Sequence, residues 1–156
     1  MEDALVEPLL QALQQDDEAV RAEATETLWQ MWFQQKGIYG ARLLMQSQEL
    51  LHQGQLEDAE KLLSAIIQDQ PDFAEAWNRR AVLYYSQQEF WKAIADCQAT
   101  VERIPYHFGA LHGLGLCHLA LGNYTAAIEA FQKALQVQPH ALINQRLVLE
   151  CMAKLS

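Results

Sequence analysis

Apolar residues along this chain fall at helical spacing. In AEAWNRRAVLYY (74–85), Trp77, Ala81 and Tyr84 occupy i, i+4 and i+7, one stripe of an amphipathic helix, with Asn78, Arg79 and Arg80 between them. The patterning recurs at a fixed step. Leu43, Trp77 and Leu111 are 34 residues apart, and so are Ala59, Ala93 and Ala127. Leu63, Cys97 and Phe131, then Leu56, Phe90 and Tyr124, then Pro71, Pro105 and Pro139 keep the same step. Five columns in phase define three copies, each predicted as helix, short turn, helix. First helices are expected at about 40–53, 74–87 and 108–121, and second helices at about 56–69, 90–103 and 124–137. Glycine and polar residues in the turns stop the first helices, and a proline follows each second one.

The flanks lack this phase. Leu5, Leu9, Leu10 and Leu13 form one stripe, Asp16-Asp17 breaks it, and Val20, Ala24, Leu28 and Met31 form another. Residues 1–36 therefore read as a helical hairpin, expected to pack Trp29, Trp32 or Phe33 on the first repeat, with QKGIYG (35–40) as the hinge. Residues 142–156 read as a closing helix with Leu147, Cys151 and Leu155 on one face and Ile143, Val148 and Met152 spreading beyond it. That helix covers the third copy or leaves an apolar patch for self-association.

Small residues at 59, 93, 115 and 127 let helices approach closely, and Leu63, Trp77, Tyr84 and Phe131 fill the space between them. A lone hairpin cannot bury its apolar face, whereas stacked hairpins bury a continuous core. The Trp, small residue, Tyr, Ala and Pro of copy two, with Leu111, Gly115, Ala127, Phe131 and Pro139 of copy three, resemble the tetratricopeptide repeat (TPR) family. The resemblance covers residues 40–141 as repeats 40–73, 74–107 and 108–141. It implies an all-α, right-handed solenoid of about nine helices. The order Pro8, Leu13, Asp17, Arg21, Ala24, Leu28 resembles a single HEAT-type hairpin, in which Asp17 and Arg21 would support the turn.

Composition narrows the function. The apolar fraction of 51% and the mixed charges suit a globular protein. The net charge is −9, and residues 1–26 carry eight acids and one base, so most of the excess lies there. No basic stripe is present, which argues against nucleic acid and leaves the acidic hairpin as a second surface for a basic partner. No segment approaches the ~18 apolar residues of a membrane helix, and MEDALVEPLL lacks the basic start of a signal peptide. Three cysteines without CxxC spacing suggest a reducing, cytoplasmic setting.

In the TPR resemblance the first helices line a concave groove. The positions it assigns there are Gln48, His52, Asn78, Arg79, Val82, Tyr85, His112 and Leu116, with Leu44, Leu51 and Leu119 beside them. Such a groove of apolar walls, amides and arginine suits a peptide or partner segment. Arg80 replaces the family's usual leucine and is expected to pair with Asp96 or Glu89, while Arg79 faces the groove. Family members that capture acidic chaperone tails use a two-carboxylate clamp. Its positions here hold Leu44, Gln48, Arg79, Gly109 and Gly113, so no tail binding is expected. Cys97, Cys117 and His118 fall on core columns, and His107 and His112 are expected at the surface. No phosphate loop, GxSxG or HExxH occurs. No catalytic site, metal or cofactor is expected, and the alternative to a binding module is a structural homo-oligomer joined through the terminal helices.

Overall fold

The computed structural model describes residues 2–156. Nine α-helices make up the described residues: α1 (Glu2–Ala12), α2 (Glu18–Phe33), α3 (Gly37–His52), α4 (Leu56–Asp69), α5 (Ala74–Ser86), α6 (Phe90–Arg103), α7 (Phe108–Ala120), α8 (Tyr124–Val137) and α9 (Leu142–Leu155). Helices α3 to α8 form three antiparallel hairpins, and α9 packs on α8 as a first helix without a partner. Two of the repeat columns are core: Ala59, Ala93 and Ala127 of one, and Leu63 and Phe131 of the other, have no exposed surface. A Cβ on Gly115 would stand 2.4 Å from the Phe131 ring, so only glycine lets α7 settle on α8.

The three hairpin turns share one construction. Gly54, Gln88 and Gly122, spaced by the repeat, all adopt positive φ (75°, 61° and 76°). The following amide reaches back to close the preceding helix, Gln55 N–H to Leu50 C=O, Glu89 to Tyr84 and Asn123 to His118, each at 2.9 Å. This is the left-handed C-terminal cap that favours glycine, and the second repeat makes it with glutamine.

Arg80 serves the fold as expected. Its guanidinium meets Asp96 twice, Nε to Oδ2 at 2.7 Å and Nη2 to Oδ1 at 2.9 Å, and Nη1 donates to Ser64 Oγ at 3.1 Å. It also lies over the Trp77 and Tyr84 rings. The hydrogen bond to Asp96 holds its pKa above the usual arginine value despite burial.

Several expectations need correction. Of the aromatics expected on the first repeat, Phe33 packs beside its core, whereas Trp29 and Trp32 lie against His107 and Phe108, where the third repeat begins. The reason is the aromatic site that His107 and Phe108 offer, which buries the Trp32 indole and half-buries that of Trp29. The outer face of α3 is left bare, with Ile38, Tyr39 and Met45 exposed. His107 is fully buried, not at the surface. Leu44 is fully buried in the first-repeat core, not beside the groove. On α9, Val148 rather than Leu155 joins Leu147 and Cys151 in the core.

Candidate functional site

The α1–α2 turn is locally well determined. Asp17 accepts from the Ala19 and Val20 amides at the start of α2, and Arg21 Nη1 donates to the Gln15 and Asp16 carbonyls at 2.9 and 2.7 Å. From there α2 crosses all three repeats along the edge where their first helices begin. Gln14 Nε2 donates to the Gln136 and Val137 carbonyls, and Thr25 Oγ1 accepts from Gln138 Nε2 at 3.2 Å. Farther along, Trp32 stacks on His107 at 4.0 Å between ring centres, and Trp29 meets His107 and Phe108 edge-on at 5.3 Å. Past its end, Gln35 Nε2 donates to the Asp72 carbonyl and Lys36 pairs with the Asp72 carboxylate. Gly109 makes the crossing feasible, since a Cβ there would stand 2.5 Å from the Trp29 ring.

Beneath α2 lies a buried polar node. The Glu75 carboxylate is fully buried and receives His107 Nε2 at 2.9 Å and Arg79 Nε at 2.7 Å. His107 Nδ1 accepts the Ala110 amide at 3.0 Å, which leaves Nε2 as the donor to Glu75. Burial pushes the Glu75 pKa up, but the His107 hydrogen bond and the Arg79 charge outweigh it and hold the carboxyl below its usual range. Arg79 Nη1 also donates to Gln48 Oε1 at 3.0 Å. Both arginines of α5 are thus bound within the fold, although Arg79 keeps about a quarter of its side chain exposed.

What remains open is the far half of the first-helix face. A 280 Å³ cavity lies among Trp29, Gln48, Leu51, Asn78, Arg79 and Val82. A 210 Å³ cavity lies beside it, lined mainly by Val82, Tyr85, Cys97, His112, Leu116 and Cys117. Asn78 is 5% exposed and borders both, while Val82 and Tyr85 are exposed apolar residues at 54% and 38%. His112 Nδ1 lies 2.6 Å from Asn144 Oδ1 of α9, and His52 lies 3.2 Å from Gln48. Seven of the expected groove residues therefore border the two cavities, and His52 reaches them through Gln48. Trp29, Glu75 and His107 were missed. The available signal was Gly109, a glycine that no turn requires.

Among the described residues no group of three or more His, Cys, Asp or Glu side chains could hold a metal ion, and no helix is long and apolar enough to cross a membrane.

Tetratricopeptide repeat family models match residues 44–108 and 109–141, together well over half of the chain. A TPR repeat-containing protein of Rhizobium etli is 35% identical over 69 residues, covering 44% of this chain and 34% of the relative. The chain thus spans about a third of that protein. Among solved structures, the first TPR of Spaghetti (RPAP3) bound to an HSP90 peptide superposes with a TM-score of 0.71 at 18% identity, covering 74% of this chain and 91% of the other. The TPR2B domain of yeast Sti1 in a pHsp70 complex gives 0.68 at 19% identity, covering 73% and 96%. At these identities the likeness is one of fold.

Proposed function

The chain belongs to the tetratricopeptide repeat family, and from that premise we propose that it is a non-catalytic adaptor, scaffold or assembly module. It would take a partner segment along the part of the concave face that α2 leaves open. The carrying observation is the pair of exposed apolar residues Val82 and Tyr85 on one helix, bordered by polar Gln48, Arg79 and His112 and backed by two cavities. A soluble protein standing an aromatic and a valine together on a concave face is the usual mark of a recognition surface. Gln48, His52, Asn78, Arg79, Val82, Tyr85, His112 and Leu116 would be its contacts, with a protein or peptide as ligand, in a cytoplasmic setting.

The two solved relatives named above hold chaperone peptides, but the residues here favour a different ligand. Gly109 at a clamp position is covered by Trp29, and Arg79 is committed to Glu75. An acidic peptide with a free C-terminal carboxylate is therefore expected not to bind at micromolar concentration. Saturable micromolar binding in a calorimetric titration would overturn that expectation.

The groove reading is tested with a photo-crosslinking residue at position 82, compared with one at exposed position 149 on α9, in the source cell extract. A discrete adduct at 82 that Tyr85→Ala abolishes supports it, and identical adducts at both positions refute it. A second reading, homo-oligomerisation through α9, is favoured by exposed Ile143, Leu149, Met152 and Leu155. Light scattering that reports a monomer across a hundredfold concentration range would remove it.

A further inference from the structure

Cys97 on α6 and Cys117 on α7 belong to different repeats. Both are nearly closed to bulk solvent, at 2% and 1% exposed, but both line the 210 Å³ cavity on the concave face. A Cβ on Gly113, one turn before Cys117, would stand 3.4 Å from Cys97 Sγ, so that sulfur rests against α7 where the helix has no side chain. Both thiols are free. The neighbouring Cys97 thiol lowers the Cys117 pKa against the effect of burial, while Cys117 and then burial push Cys97 up. One sulfur is thus the better thiolate and its neighbour keeps the proton, the asymmetry an attacking and a resolving thiol need. Cys151 is the internal contrast, a fully buried residue of α9 in another cluster, with burial raising its pKa.

We propose that Cys97 and Cys117 are an oxidisable thiol pair that hydrogen peroxide closes into a disulfide joining α6 to α7. The Cys117 thiolate attacks one peroxide oxygen; the S–O bond forms, the O–O bond breaks, and hydroxide leaves to become water. Cys97 then attacks the resulting sulfenic sulfur; the S–S bond forms, the S–O bond breaks, and the departing hydroxide takes the Cys97 proton as a second water. Two thiols and one peroxide become one disulfide and two waters, and the sulfurs supply both electrons. A cavity of this size admits a peroxide molecule, so the route lies from the concave face rather than through the core.

The test uses the full chain, treated with excess hydrogen peroxide, denatured in iodoacetamide and mapped without reductant. The expected product has lost two hydrogens, joins the Cys97 and Cys117 peptides and carries an alkylated Cys151. Cys151→Ser is expected to close the same bond. In Cys97→Ser, dimedone is expected to label Cys117, since the sulfenic acid then has no resolving thiol. Full alkylation of all three cysteines after peroxide would overturn the proposal, and so would a bridge that uses Cys151 or joins two chains. No partner enters this readout, so the thiol pair and the groove reading fail separately.

Discussion

Removing the Trp32 ring tests whether α2 is part of the solenoid or an appendage to it. Trp32 is 3% exposed, stacked on His107 and within 5.1 Å of the Trp29 ring centre. Its walls belong to α2 and to the start of α7, so the site has little room to collapse. Trp32→Ala should then cost about 3–5 kcal/mol, against a total of about 5–15 for a domain of this size. Trp32→Phe keeps an aromatic ring over His107 and discards an indole N–H that has no partner, so its cost should be about 1 kcal/mol. Urea unfolding followed by far-ultraviolet circular dichroism measures both. The slope against urea adds a second reading, because a hairpin already detached in the Ala variant leaves less surface to expose and lowers it. Hydrogen exchange should show residues 18–33 losing protection before α5 and α7. An Ala variant within 1 kcal/mol of wild type, with an unchanged slope, would refute the docking argument.

Three further outcomes follow from particular contacts. Gln88→Gly relieves a left-handed glutamine at the position that Gly54 and Gly122 hold in the other repeats, and should raise stability by about 0.5–1 kcal/mol in urea titration. Arg80→Leu restores the usual hydrophobe but strands Asp96, which is 3% exposed, and should cost about 3–5 kcal/mol; adding Asp96→Leu should recover most of that in a double-mutant cycle. Glu75 is held below its ordinary value of 4.5, so the unfolded chain binds the proton first and the carboxylate's stabilisation is complete above pH 4.5 and lost as pH falls through the lower folded value. Acid titration by circular dichroism should show Glu75→Gln with a flatter fall below that pH than wild type.

The repeat part of the fold was legible because its signal is redundant. Each column of Ala59, Ala93 and Ala127 or of Pro71, Pro105 and Pro139 is written three times, and each position is set by a neighbour at fixed distance. Arg80 was readable for a related reason, since a charge on an otherwise apolar column must find a partner on the adjoining helix, and Asp96 was within reach. The docking of the α1–α2 hairpin was not readable. The partners of Trp32, His107 and Phe108, and those of Gln14, the carbonyls at 136 and 137, lie 75 or more residues away and follow no period. A hairpin with two tryptophans can bury them against either end of a solenoid or within its curve. The choice depends on where an aromatic site with a glycine beside it is open, and Gly109 has that meaning only once Trp29 lies on it.

That crossing changes what the concave face can recognise. A ligand using the whole first-helix face would need Glu75 and Gly109 free, yet Glu75 is sealed by His107 and Arg79, and Gly109 packs against the Trp29 ring. The open strip is therefore short, with Val82 and Tyr85 at its centre and α2 as one wall. Glu26 and Gln30 line a separate 540 Å³ hollow that shares Trp29 and Arg79 with the strip. On the proposed reading, a segment long enough to pass from the strip over Arg79 would meet apolar surface from α5 and then an acidic, amide-bearing edge from α2. On the proposed reading such a segment would carry one or two apolar anchors beside a basic residue, the reverse in charge of the acidic tails that the carboxylate clamp takes. The acidic N-terminal hairpin would then act at the edge of the groove rather than at a separate surface.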